Sequence, residues 1–239
     1  MAPRVAFIVA SGPAIQAAKI AKGVTVLFAI SGDPVELGIA QTLARPGGDF
    51  TGSTFLSLDI AAKRVELLKE AFPRMRTLAM LSNTNHPGEC SERRATEAAA
   101  QGLGVSTIYA PFAAVGELDG ALTAIGEARP DAMVVFPDGS TIVNREKIAQ
   151  FAAERRLPSM FGWAEYCGAG GFMCYGANQR ETYVRLAAYA DRLLRGIKAA
   201  DIPIEQPTKF ELIINLKTAK ALGLTIPPSL LARADQVIE

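Results

Sequence analysis

From Leu27 to Gly52 the chain reads LFAISGDPVELGIAQTLARPGGDFTG. An apolar run (Val24, Val26, Leu27, Phe28, Ala29, Ile30) stops at Ser31-Gly32-Asp33-Pro34. The spacing predicts a helix next, closed by the turn Arg45-Pro46-Gly47-Gly48. The pattern is a buried strand, a polar loop at its carboxyl end, and a helix whose amino end points back at that loop. In open α/β sheets small ligands sit at such strand ends. Pro34 suits the first helical position, and Ser31 or Asp33 can cap it with a side-chain oxygen. Free N–H groups at that point are expected to attract a carboxylate or phosphate.

Outward from this stretch, strand and helix signals alternate. Val5–Ala10, Thr51–Leu56, Thr77–Leu81, Val105–Tyr109, Asp131–Phe136, Ser159–Gly162, Gly171–Tyr175 and Phe210–Asn215 read as strands. Helices are expected near Ala14–Ala21, from Ser57 to before Pro73, and over Glu89–Gln101, Val115–Ala128, Thr141–Arg155, Gln179–Leu194 and Leu216–Leu222. Trp163–Gly171 reads as an irregular, aromatic, Gly-rich stretch, and the tail as Pro227-Pro228 followed by a short helix. Strands separated by helices of ~10–15 residues imply βαβ units and parallel sheets. Two such sheets are expected, divided near Gly52–Leu58.

Composition narrows the function. Of 239 residues, 49% are hydrophobic and 21% charged, and the net charge of +1 offers no electrostatic case for nucleic acid. No apolar run is long enough to cross a bilayer. Cys90, Cys167 and Cys174 make an odd count, which argues against a full disulfide framework. Cys167 and Cys174 could pair across a turn; three free thiols is the plainer expectation. The one histidine, His86, lies in a loop where a solvated side chain is the ordinary outcome. With no Cys/His cluster, no metal site is expected. No GxSxG, Walker A or GxGxxG motif occurs, so no cofactor is expected and catalytic constellations are poor.

What remains is a set of polar loops at strand ends: Ser11-Gly12, Ser31-Gly32-Asp33, Asn83-Thr84-Asn85, Asp138-Gly139-Ser140 and Trp163-Ala164-Glu165. If two sheets face each other, hydroxyls and N–H groups from one hold an anionic head group, while Asp138 or Glu165 holds an ammonium from the other. An amino acid needs both. Each residue also has a plainer role: Ser11 and Ser31 as helix caps, Asp33 in an Asx turn, Asn83, Asn85 and Asp138 in turns, Glu165 as a solvated charge. Trp163, Tyr166 and Tyr175 are candidates for an aromatic wall or for core.

Four stretches carry a resemblance: FIVASGPAIQAAK, VLFAISGDPVELGIAQTLARPGGDFTG, RLPSMFGWAEYCGAGGFMCYG and ADRLLRGIKAADIPIEQPTKFELIINLKTAKALGLTIPPSLLARADQVIE. In order and content the chain resembles the ABC transporter substrate-binding proteins of the type I periplasmic binding fold, in the branch associated with tryptophan or tyrosine. The resemblance implies two Rossmann-like α/β lobes with parallel sheets joined by a hinge, closing on a ligand. Lobe 1 would comprise residues 1–56 and 176–206, and lobe 2 residues 57–175 and 207–239. Crossovers would lie near Thr51–Leu58, Cys174–Asn178 and Ile202–Lys209. Carried over by position, Ser11, Gly12, Ser31, Gly32 and Asp33 would meet a ligand carboxylate. Asn85, Asp138 and Glu165 would meet its ammonium and side chain. A membrane permease would be the partner and the periplasm the location.

Set against that family pattern, the chain is expected to start at a later strand of lobe 1, without a signal peptide and a first βαβ unit of at least ~30 residues. An open sheet edge in lobe 1 would follow, with pairing to a second copy as one outcome. Two other classes stay in view. A cytosolic effector-binding domain of the same fold, as in lac-repressor-type regulators, lacks its helix-turn-helix and basic charge here. An α/β enzyme using Cys90 or Cys167 as nucleophile would need a perturbed thiol, and nothing in the sequence points to one.

Overall fold

A computed structural model of the chain describes residues 5–55 and 58–239. Met1–Arg4, Leu56 and Ser57 lie outside the described residues, and with them the expected helix start at Ser57 and part of the first crossover. In chain order the elements are β1 (Ile8–Ser11), α1 (Ala14–Ala18), β2 (Val26–Ile30), β3 (Phe50–Thr54), α2 (Leu58–Ala71), β4 (Thr77–Asn83), α3 (Glu89–Gly102) and β5 (Ser106–Phe112). A 3-10 turn then leads into α4 (Leu118–Ala128), followed by β6 (Ala132–Val135), α5 (Gly139–Val143), α6 (Arg145–Glu154), β7 (Ser159–Phe161) and α7 (Ala164–Gly168). The remainder is β8 (Met173–Ala177), α8 (Gln179–Leu194), β9 (Phe210–Asn215), α9 (Leu216–Ala221), α10 (Pro228–Leu231) and β10 (Gln236–Ile238).

The chain divides into two compact units. Unit 1 comprises Met1–Leu56, His86–Gly88 and Asn178–Lys209; unit 2 comprises Ser57–Asn85, Glu89–Ala177 and Phe210–Glu239.

In unit 1 the sheet order is β1-β2-β3, all parallel. β2 is buried along its whole length, which explains its unbroken apolar run. Its alternate residues feed two cores. Val26, Phe28 and Ile30 pack with Ile15 and Ala18 of α1, while Leu27 and Ala29 pack with Leu186 and Tyr189 of α8. Past a 3-10 turn after α8, the chain runs beside β3: Thr51 Oγ1 donates to Ile202 O at 2.8 Å and Glu205 bridges Ser53 in parallel.

The helix expected after Pro34 is absent. The N–H of Leu37 donates to Asp33 O at 2.9 Å, giving one turn, and the next residue, Gly38, takes φ +68°. That conformation ends a helix, and only glycine adopts it freely. The loop then closes on itself through Gln41 N to Pro46 O and Arg45 N to Thr42 Oγ1.

Unit 2 holds a seven-stranded sheet in the order β10-β9-β8-β7-β6-β4-β5. Period-2 alternation feeds a core on each face. Leu78, Met80, Ala132 and Val134 meet Val65 and Leu68 of α2 and Ala100 of α3. Ala79, Leu81, Met133 and Val135 meet Leu122 and Ile125 of α4, Ile148 of α6 and Tyr166 of α7. Fully burying one such Leu, Ile or Phe is worth about 1.5–3 kcal/mol, so these two layers make the largest favourable contribution.

Five sequence expectations need correction in unit 2. β8 and β9 are antiparallel, so the sheet is mixed rather than purely parallel. The helix expected over 141–155 is two helices meeting at Asn144, whose ψ of 15° is not helical. The stretch read as irregular contains α7, and the tail ends in a strand, β10, parallel to β9. Cys167 and Cys174 form a disulfide with Cα atoms 6.1 Å apart, against the expectation of free thiols.

Candidate functional site

The strand order of unit 2 reverses between β4 and β6: β5 lies on one side of β4, β6 and β7 on the other. At such a switch point the connecting helices leave on opposite sides, and a crevice opens beyond the carboxyl ends of the two strands. Asn83 ends β4, and Asp138 follows β6. Asn83 Nδ2 donates to Asp138 Oδ1 at 3.0 Å and to Ser140 Oγ at 3.0 Å. Asp138 caps α5, with Oδ1 also accepting from Ser140 N at 2.7 Å. Asp138 is only 3% exposed. Its second oxygen, Oδ2, has no hydrogen-bond partner among the described residues, and neither does the buried Ser82 Oγ one residue before Asn83. A buried carboxylate oxygen without a donor is costly unless a cation or donor reaches it.

A second layer holds this carboxylate in place. Thr141 Oγ1 donates to Phe136 O at 3.0 Å and accepts from Asp138 N at 3.1 Å. Tyr166 OH donates to Thr141 Oγ1 at 2.7 Å. Burial above all raises the Tyr166 phenol well above its ordinary value, so it stays a donor at neutral pH. Its ring stacks on Phe161, centroids 4.7 Å apart. Trp163 takes the extended N-cap position of α7, and Glu165 stands exposed in its first turn. Half-buried Tyr175 lies on β8 with its ring 6.3 Å from that of Phe210.

In unit 1 the predicted residues also gather at strand ends. Ser11 ends β1, exposed, its hydroxyl 3.4 Å from Tyr183 OH of α8. Gly12 has φ +53° and donates from its N–H to Ala29 O at 3.2 Å, joining the ends of β1 and β2. Gly32 O accepts from Thr54 Oγ1 at 2.7 Å, joining β2 to β3. Ser31 is buried, at 8% exposure.

The family described as ABC transporter substrate binding protein matches residues 2–238. The chain belongs to this family. A "Tyrosine-binding protein" of Clostridioides difficile (strain R20291) is 25% identical over 216 residues, 90% of this chain. The chain spans 61% of that relative's length. Two solved structures share the fold. A conserved domain protein from Vibrio cholerae O1 biovar El Tor has a TM-score of 0.89 at 23% identity, covering 98% of this chain and 79% of that one. An ABC domain in complex with L-Trp from Streptococcus pneumonia has a TM-score of 0.90 at 24% identity, covering 99% and 82%.

For this family member several sequence expectations take a different form. The helix N-terminus expected to attract an anion after Asp33 does not exist, because no helix forms there. Asp33 Oδ1 instead accepts from Val35 N at 2.7 Å, an Asx turn. Asn85 is exposed and bound into its own loop: Nδ2 donates to Ala113 O and N to Asn83 Oδ1. Asn83, buried between β4 and β6, is the residue bonded to Asp138. His86 is buried at 3% exposure rather than solvated, its Nδ1 accepting from Gly88 N at 2.8 Å.

Thr141 escaped the sequence reading. Tyr166 was legible only as an aromatic-wall or core candidate, and Ser140 only as part of the Asp-Gly-Ser turn. Their coupling to Asp138 depends on the Tyr166 hydroxyl of α7 reaching Thr141 of α5, which no local signal reports.

Proposed function

We propose that this chain is the solute-binding component of an ABC importer, taking a free aromatic amino acid and performing no chemistry on it. The observation that carries the proposal is the Asp138 carboxylate at the switch point of unit 2. One oxygen is held by Asn83 and Ser140, and the other is buried without a protein donor among the described residues. A primary ammonium supplies three donors and the compensating charge. The names of two related proteins support the class of ligand: one is called tyrosine-binding, and one holds L-Trp.

In this proposal the two units are the two lobes. Ser11, Gly12, Ser31 and Gly32 of unit 1 meet the ligand carboxylate through hydroxyl and backbone N–H groups. Asp138 takes the ammonium, with Glu165 and Asn85 nearby in the loops, and Trp163 and Tyr175 flank the aromatic side chain. Closure by hinge motion delivers the loaded protein to a membrane permease. The Cys167–Cys174 disulfide supports an oxidising, extracytoplasmic compartment, because cytosolic thiols are kept reduced.

Calorimetric titration of the purified chain tests this. L-Trp and L-Tyr are expected to bind with one site per chain and to be recovered unchanged. Tryptamine and indole-3-propionate, each lacking one charge, are expected to bind at least tenfold more weakly. Equal binding of tryptamine and L-Trp, chemical turnover, or no binding of any amino acid would overturn the proposal.

A further inference from the structure

The most deeply buried cation among the described residues is not at the switch point itself. Arg64, on α2, is 6% exposed, and its charge is met by Glu92 of α3 at 5% exposure, with Nη1 2.5 Å from Oε1. Burial pushes the Arg64 guanidinium down from its ordinary value, and the Glu92 carboxylate works against that. Replacing such a pair by apolar side chains is often neutral for stability, so stability alone is a weak reason for its presence.

The rest of the fork shows what it holds. Arg64 Nε donates to the Tyr175 carbonyl on β8 at 2.8 Å. Its Nη2 lies against two glycines: a Cβ on Gly162 would sit 2.9 Å from it, and one on Gly176 3.4 Å. The same Cβ on Gly176 would fall 1.8 Å from Gly162 O, so the ends of β7 and β8 touch backbone to backbone beside the guanidinium. Gly162 also packs on Pro137, where a Cβ would lie 2.6 Å away. Two loop roots therefore meet at one planar cation, the residue before Trp163 and the end of β8 before the chain leaves unit 2 at Asn178, and a third, the residue before Asp138, packs on Gly162. A guanidinium presents donors in a fixed plane, which an ammonium does not.

We infer that Arg64 is a positioning residue of the binding site, its Glu92-paired fork fixing the loop that carries Trp163 and Glu165 and the end of β8 that carries Tyr175. The inference rests on the proposed amino-acid site, and Arg64 makes no ligand contact of its own.

Three variants test it: Arg64→Lys, Glu92→Gln, and the double variant Arg64→Met/Glu92→Met. Melting temperature and affinity for L-Trp and L-Tyr are measured for each. Glu92→Gln keeps an acceptor for Nη1 and so keeps the fork in place. It should lower the melting temperature yet bind within threefold of the wild type. The double variant should melt within a few degrees of the wild type and bind at least tenfold more weakly, and Arg64→Lys should recover less than half of that loss. Affinity that simply follows melting temperature across the variants, or a double variant binding within threefold, would overturn the inference.

Hydrogen exchange supplies an arm that needs no ligand. Amides of Trp163–Glu165 and Gly176–Ala177 should exchange at least tenfold faster in Arg64→Lys, with Leu78–Leu81 of β4 unchanged. Uniform or unaltered exchange would overturn the anchoring whether or not the chain binds amino acids. Failure of the wild type to bind L-Trp or L-Tyr removes the proposed ligand and leaves this arm to decide.

Discussion

Asn83 Nδ2, at the end of β4, donates to Asp138 Oδ1, beyond the end of the neighbouring β6, at 3.0 Å. The bond orients one carboxylate oxygen and leaves the other without a protein donor among the described residues. Asp138→Asn keeps an acceptor for Asn83 and for Ser140 N but removes the charge. Loss of a charge-assisted hydrogen bond of about 2–3 kcal/mol should weaken L-Trp binding by about 30- to 150-fold. Folding should not suffer, because a buried negative charge is removed as well. Titration calorimetry beside a thermal melt checks both halves; unchanged affinity would remove Asp138 from the site.

The Cys167–Cys174 bridge ties α7 to β8 within unit 2, both sulfurs being buried. Closing so short a loop should contribute about 2 kcal/mol, mainly by restricting the unfolded chain. The Cys167→Ala/Cys174→Ala variant should therefore melt about 4–8 °C lower. Peptide mapping without reductant should recover the two cysteines linked and Cys90 free. A variant that melts with the wild type, under oxidising conditions, would show that the bridge does not form in solution.

Asp131 sits in the turn before β6, where its Oδ2 accepts from Arg76 N, Thr77 N and Thr77 Oγ1 at 2.7–3.1 Å. Partial burial works to raise its carboxyl, but these donors outweigh it and hold the group below its ordinary value. A depressed folded value means the contribution is complete above the unfolded value of about 3.9 and fades as the pH falls through the folded one. Asp131→Asn should cost about 1 kcal/mol at pH 7, with the gap closing as the pH falls through the depressed folded value. Urea midpoints followed from pH 7 into acid are the measurement; a gap that does not shrink as the pH falls would contradict this account.

Much of this architecture could be read from local pattern. β2 announced itself by an apolar run, and α8 by a clean amphipathic period over Gln179–Leu194. Asp138 was legible as an acidic strand-end residue before a helix, although its cap of α5 was read only as turn chemistry. The misreadings share a cause: tertiary contacts overrode local signals. Pro34 behind the candidate caps Ser31 and Asp33 suits a helix start, yet Gly38 and the Lys19 Nζ bond to Leu37 O at 2.7 Å hold a turn. β10 is three residues long and leans on β9, so only its neighbour makes it a strand. Arg64 lies in an unremarkable helix sequence, and its role depends on Glu92, Gly162 and Tyr175, far away along the chain.

Two glycines should respond in opposite directions to the same substitution. Gly52 faces Phe28 in the β2–β3 register with φ +154°, and a Cβ there would fall 2.0 Å from the Phe28 carbonyl oxygen. That oxygen is backbone in a buried strand and cannot step aside, so Gly52→Ala must push the strands apart. A cost of about 2–4 kcal/mol follows from the strained dihedral and the overlap together. Gly120 sits exposed in the first turn of α4, with nothing within 4 Å of a Cβ. Gly120→Ala should stabilise by about 0.5–1 kcal/mol, because alanine loses less backbone freedom on folding. Melting temperatures of the two variants, measured side by side, decide the matter. Similar values would mean that the close β2–β3 contact at Gly52 does not hold in solution.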